Sequence, residues 1–264
     1  MGRVTLRFYA ELNNFLPAHL RQRPFPQYFK PTQSIKHLIE NLGVPHTEVE
    51  LILAEGASVD FDYLPGDGDS ISVYPMFERF DVTPLLRLRA RPLRRPRFIA
   101  DAHLGRLARY LRLAGFDTLF FNDAGDRRLA ALSVTEGRIL LTRDRALLMR
   151  REITHGCYLH AQLPEAQLAE LFRRLDLFRQ TAPFSRCLEC NGVLERVAKE
   201  DVSAQLPGRV AERHTEFWRC GGCAKVYWQG SHYRRLAGIV AAVGRLDDDD
   251  GDSCVAPEYF TPSP

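Results

Sequence analysis

Hydrophobic and polar positions divide the chain into three patterned stretches. In the first, residues 4–8 (VTLRF) alternate at period two and predict a strand. A proline-bearing loop with Pro17, Pro24, Pro26 and Pro31 follows. Ser34 stands as an N-cap before an amphipathic helix over 35–42, which Gly43 ends. Strands are predicted over 49–53, briefly over 59–61, and over 70–74 after the turn Gly66-Asp67-Gly68-Asp69.

The second stretch alternates short apolar runs with helical periodicity. Residues 98–100 (FIA) form a strand ending on Asp101. A helix over 102–114 places Leu104, Leu107, Ala108, Leu111 and Ala114 at spacings of three and four, with Arg106, Arg109 and Arg112 on another part of its surface. Gly115 ends it. A strand over 116–121 precedes a loop in which Asp126 can cap a helix over 127–136. Residues 139–142 (ILLT) form a third strand, closing on Arg143-Asp144-Arg145. A short helix over 144–152, a strand over 156–159 and a helix from Pro164 to near Phe178 complete the stretch. Strands alternating with helices imply a parallel sheet, and such sheets bind ligands beyond the carboxyl ends of their strands. Asp101 and Asp144 stand at such ends, with Asp126 on the intervening loop.

The third stretch, 181–246, holds Cys187-Leu-Glu-Cys190 and Cys220-Gly-Gly-Cys223, two Cys-x-x-Cys pairs 29 residues apart. Four thiolates in this spacing match a closed, structural zinc site. A redox dithiol would explain one pair, not two. Cys157 reads as a small buried hydrophobe and Cys254 falls in the tail. Residues 81–96 hold three prolines and five arginines and form a linker; 247–264 begin with an acidic run expected to be disordered.

Charge sharpens the picture. The 264 residues carry a net charge of +3, but 81–180 alone carry 19 basic and 11 acidic side chains. Nearly all that excess is arginine, which forks onto phosphate oxygens. A polyanionic partner follows, with Arg106, Arg109, Arg112, Arg143 and Arg145 as candidate RNA-binding residues. Trp218, Tyr227, Trp228, His232 and Tyr233, interleaved with basic residues, either stack on bases or pack on the ribbon core. Asp101, Asp126 and Asp144 as hard oxygen ligands suit Mg²⁺ or Mn²⁺. Each also stands at a helix start, where Asp is a favoured cap. No apolar run reaches the roughly eighteen residues of a membrane span, and no signal core opens the chain, so the expected compartment is the cytoplasm.

Two resemblances follow. "VTLRFYAEL" and "DGDSISVYP" resemble the small β-grasp, ubiquitin-like sulfur carriers over residues 1–80. Those carriers end in Gly-Gly, whereas this chain continues through Pro75-Met76, so sulfur carriage is rejected and a binding or positioning module is expected, with a protein partner. "FIADAHLGRLARYLRLAGFDT" and "GRILLTRDRALL" resemble the PIN-like RNase domain of the Mut-seven C-terminal family, and "RCLECNGVL" with "WRCGGCAKVYWQGSHYRRL" resembles the zinc ribbon that follows it. The resemblance implies an α/β, PIN-like parallel-sheet domain at 97–180, preceded by the α+β module and followed by the ribbon at 181–246. It implies metal-dependent RNA cleavage, with Asp101 and Asp144 as site acids and Asp126 as the third. The alternative is a non-catalytic RNA- or ribosome-associated binding protein that keeps the fold.

Overall fold

Side chains of the first strand, β1 (Gly2–Phe8), alternate between core and solvent, with Val4, Leu6 and Phe8 buried. In the computed structural model, which describes residues 1–75, Leu88 and 96–245, β1 pairs antiparallel with β2 (Phe25–Phe29) and parallel with β5 (Ser70–Tyr74). Beyond β5 lie β3 (Leu51–Ala54) and β4 (Ala57–Val59), giving the sheet order β2-β1-β5-β3-β4. Helix α1 (Ile35–Asn41) covers the sheet with Ile35, Leu38 and Ile39. This is the β-grasp, ubiquitin-like arrangement. Within the expected proline-bearing loop, the stretch holding Pro26 is instead the edge strand β2, with Pro24 just before it. Pro26 is tolerated there because an edge strand bonds on one side only. Ser34 is the N-cap residue of α1, but its hydroxyl makes no capping bond.

The central sheet is wholly parallel, in the order β7-β6-β8-β9. Its strands are β6 (Phe98–Ala100), β7 (Thr118–Phe120), β8 (Ile139–Thr142) and β9 (Gly156–Tyr158). Both faces are covered, which is why these strands read as continuous apolar runs. Phe98, Ala100, Ile139 and Leu141 face α2 (Gly105–Leu113) and α5 (Pro164–Arg174). Ile99 and Leu140 face α3 (Asp126–Glu136) and α4 (Arg145–Leu148). Strands one and three of this module are neighbours, so the ends bearing Asp101 and Asp144 lie side by side.

The ribbon is built on β10 (Leu194–Val197), β11 (Phe217–Cys220) and β12 (Val226–Tyr227), preceded within its long loop by α6 (Gly208–Arg213). A final helix, α7 (Ser231–Arg245), was not apparent from periodicity. It packs on α5 and α2 and buries Val243 in the core of the central domain. The chain therefore leaves the central sheet, forms the ribbon, and returns. Most of the expected linker 81–96, and the acidic tail 247–264, lie outside the described residues.

Two contacts fix the larger assembly. Gly115 has φ of +99°, and a Cβ there would stand 2.2 Å from the Ala182 carbonyl. The return strap therefore crosses directly over the end of α2, where Ala182 N–H donates to Ala114 O at 2.7 Å. The β-grasp module docks on β9. His46 Nε2 meets Ile153 O at 2.8 Å, and Glu48, at the interface, accepts from Tyr158 N–H and pairs with Arg174. Arg174 also donates to Tyr158 O at 2.7 Å. Burial pushes the Glu48 carboxyl up against the pull of Arg174. Burial also opposes the charge on Arg174, but the carboxylates around it, Glu48, Glu11 and Glu170, hold its pKa above the ordinary value.

Gly115→Ala is expected to lower unfolding stability by about 2–4 kcal/mol in urea titration, through both strained φ and the Ala182 clash, while Gly208→Ala, with open space around it, changes it by less than about 0.5. Arg174→Met strands a buried carboxylate and should cost roughly 3–5 kcal/mol, most of which Glu48→Leu in the same chain restores. With Arg174 gone, Glu48 binds its proton more tightly folded than unfolded. The loss should therefore grow as pH rises from 5 to 8, measured as a urea midpoint at each pH.

Candidate active site and metal centre

Asp101, Asp126 and Asp144 follow the carboxyl ends of β6, β7 and β8, three adjacent strands of the parallel sheet. Asp101 continues the sheet by one bond, from its N–H to Leu141 O at 3.0 Å. Its Oδ1 accepts from Ala102 N–H at 2.5 Å and its Oδ2 from the Thr142 hydroxyl at 2.8 Å. The same hydroxyl oxygen accepts from Asp144 N–H at 3.0 Å. Thr142 thus ties the two strand ends together. Asp144 caps α4, its Oδ1 accepting from Ala146 and Leu147 N–H at 2.8 and 3.3 Å. Asp126 is exposed and begins α3 rather than capping it; Gly125 holds the cap position. Its carboxylate has no partner among the described residues.

No ion pair neutralises any of the three acids among the described residues. Asp117 makes the contrast. It sits at the amino end of β7, bound by Arg138 at 2.7 Å and by Asn191 Nδ2 at 2.7 Å. Burial works against its charge, yet these donors hold its carboxyl below the usual range. It is structural, whereas the acids at the opposite end keep uncompensated charge. Their oxygens do not converge: among the described residues, the four cysteines are the group of three or more candidate ligands lying within 4.8 Å of one another. Asp101 and Asp144 fit a hydrated hard cation, which usually takes one or two carboxylates and several waters.

The thiols fit zinc. Cys187 Sγ lies 3.6 Å from Cys223 Sγ, and Cys190 Sγ 3.3 Å from Cys220 Sγ. A tetrahedron with Zn–S bonds of about 2.3 Å needs roughly 3.8 Å between sulfurs, far from the ~2 Å of a disulfide. Burial opposes a thiolate at Cys187, but the Cys190 N–H and the Tyr227 hydroxyl outweigh it and hold the thiol down at about 7. Asn191, with φ of +69°, turns the first knuckle.

That knuckle is bolted to the central domain. Arg112 is buried; its Nε donates to Thr118 O at 2.9 Å and its Nη1 to Leu188 O and Glu189 O at 3.0 and 2.8 Å. Asn191 Oδ1 accepts from Thr118 N–H at 2.9 Å. Arg112 is therefore no RNA contact, correcting the expectation. Helical spacing grouped it with Arg106 and Arg109, but the ribbon covers its side of α2. The other arginines divide. Arg106 and Arg143 are exposed. Arg109, half-exposed, lies 3.8 Å from Glu189. Arg145 stacks over Phe15 and Tyr158 at 5.1 and 5.4 Å, at the docking surface of the β-grasp module. Trp218 packs on Phe184 at 4.4 Å, in the ribbon core. Thr142, Asn191 and Arg174 escaped the sequence reading. Thr142 alone left a trace there, as a polar residue closing an apolar strand one position before Arg143-Asp144.

The central domain is a parallel α/β sheet with acids at neighbouring strand ends, followed by a four-cysteine ribbon. The family model described as the Mut7-C RNAse domain matches residues 96–240, and that described as Mut7-C ubiquitin matches residues 1–81. The chain belongs to the Mut7-C RNase family, whose domain is PIN-like. Searches of curated proteins and of solved structures returned no match. Among the described residues no helix is long and apolar enough to cross a membrane.

Purified protein should carry about one zinc per chain by elemental analysis, and Cys220→Ser should abolish it. The same variant should speed amide exchange in β10 and β11 by at least tenfold, because a ribbon this small draws much of its stability from its metal.

Proposed function

We propose that the chain is a metal-dependent ribonuclease that hydrolyses phosphodiester bonds of RNA. The observation that carries this reading is the group of acids at three adjacent parallel-strand ends, unneutralised by any described cation, inside a chain that belongs to an RNase family. Asp101 and Asp144 would hold Mg²⁺ or Mn²⁺, with Asp126 approaching from the β7 side. A bound ion of this kind lowers the pKa of water and stabilises charge at phosphorus. The protein's own part is positional. Thr142 holds the Asp101 carboxylate against the Asp144 backbone N–H, and the first turn of α4 holds the Asp144 carboxylate, so each keeps its orientation without a metal. Exposed Arg106 and Arg143 take the phosphates either side of the scissile bond. The β-grasp module, held on β9, presents its own exposed face to a protein partner. The cytoplasm is the proposed compartment.

A binding protein that does not cut is the competing reading, favoured by one observation: three acid side chains that do not meet at a point. The two part in one assay. With labelled single-stranded RNA and Mn²⁺, Asp101→Asn and Asp144→Asn should each lower the cleavage rate at least a hundredfold while leaving RNA affinity within threefold. Cleavage by both variants at the wild-type rate would remove the assigned site, and binding without turnover by the wild type would favour the non-catalytic reading.

A further inference from the structure

Between α2 and the ribbon runs a groove of about 340 Å³. Its walls are aromatic: Phe184, Tyr227, Trp228 and Tyr233. Its rim carries Arg109 and Lys225, which share the exposed Glu189 at 3.8 and 3.0 Å and so keep one net positive charge, and Arg186, which leans towards Asp117 at 3.8 Å. The aromatic walls differ in how they are engaged. Phe184 is packed between Trp218 and Tyr233, at 4.4 and 4.3 Å. The Tyr227 hydroxyl is held by the zinc knuckle, 3.0 Å from Cys187 Sγ and accepting from Leu188 N–H at 3.2 Å. Trp228 stacks on no other ring among the described residues. Its indole lies against Gly230, where a Cβ would stand 2.9 Å from Nε1, so the backbone supports the ring while leaving it in the groove.

We propose that this groove is a nucleobase subsite: one unpaired base of single-stranded RNA stacks on Trp228, and its flanking phosphates rest on Arg109 and Lys225. This deepens, and rests on, the ribonuclease reading. Three observations favour a nucleotide over a peptide. The volume falls at the lower end of the roughly 300–1,000 Å³ of small-ligand sites and suits one nucleoside. The rim is cationic around an aromatic interior, the combination that binds single strands without reading their sequence. The groove and the candidate active site also lie at the two ends of one helix. Arg109 and Leu113 line it about 6 and 12 Å along α2 from Gly105, and Asp101 lies just beyond that end of the helix. A strand held at the acids therefore reaches the groove within a few nucleotides. A duplex, with its bases stacked internally, has no base to offer.

The test uses full-length protein without added Mg²⁺ or Mn²⁺ and a short single-stranded RNA carrying 2-aminopurine at successive positions. Wild type should quench the fluorophore at one position. Trp228→Leu should abolish that quenching and weaken binding roughly tenfold, Trp228→Phe should keep both, and all three proteins should retain one zinc. Lys225→Ala should weaken binding and flatten its salt dependence. Trp228→Leu binding within twofold of wild type with quenching intact would overturn the proposal. So would a matched duplex binding as tightly, or an acidic peptide displacing the RNA through a Trp228-dependent contact. The acid site is judged separately. If quenching depends on Trp228 while Asp101→Asn and Asp144→Asn still cleave normally, the groove stands and the assigned catalytic acids fall.

Discussion

Arg112 ties the four-cysteine centre to the parallel sheet, and much of the molecule's geometry depends on that tie. A buried guanidinium is costly unless each donor finds an acceptor. Here the acceptors are the Thr118 carbonyl of β7 and the Leu188 and Glu189 carbonyls of the first knuckle. Burial draws the arginine pKa down, and the neighbouring Cys187 and Cys190 oppose it. With zinc on the four thiolates, that positive charge would offset the net negative charge of the centre. Asn191 extends the tie by binding Thr118 N–H and Asp117 at once.

One helix therefore serves two sites. α2 starts beside Asp101 and ends beneath the ribbon, with Gly115 admitting the strap that leads there. Asp101 precedes it, Arg106 and Arg109 project from it, and the aromatic groove lies against its second half. The returning α7 strengthens this by burying Val243 in the central core. The ribbon is thus an extension of the nuclease domain's surface rather than a tethered appendage.

The β-grasp module is held by a different chemistry. Its contact with β9 is polar and buried, centred on Glu48, Arg174 and His46. Such pairs contribute little net stability but specify one orientation, since any slip leaves a charge without its partner. Arg145 and Tyr158, at the carboxyl side of β8 and β9, join the same contact through Phe15. The module therefore borders the end of the sheet that carries Asp101 and Asp144.

The sequence by itself determined the elements whose signals are local. Continuous apolar runs marked the parallel strands, period-two alternation marked β1, and the two Cys-x-x-Cys pairs marked the four-thiol cluster. The strand ends that carry Asp101 and Asp144 were legible because Asp101 directly follows one buried run and Asp144 stands two residues beyond another. What depends on long-range packing was not legible. Helical periodicity placed Arg112 beside Arg106 and Arg109, yet a segment some seventy residues away covers it and changes its role. Pro26 argued for a loop, and only the sheet order, which leaves one side of β2 unpaired, admits it to a strand. Thr142 looked like the end of a strand until two chain ends met over its hydroxyl. Tertiary structure also decided how the acids stand: side by side at neighbouring strand ends, two of them linked through Thr142 and the third apart, because side-chain oxygens are placed by the turns that follow the strands.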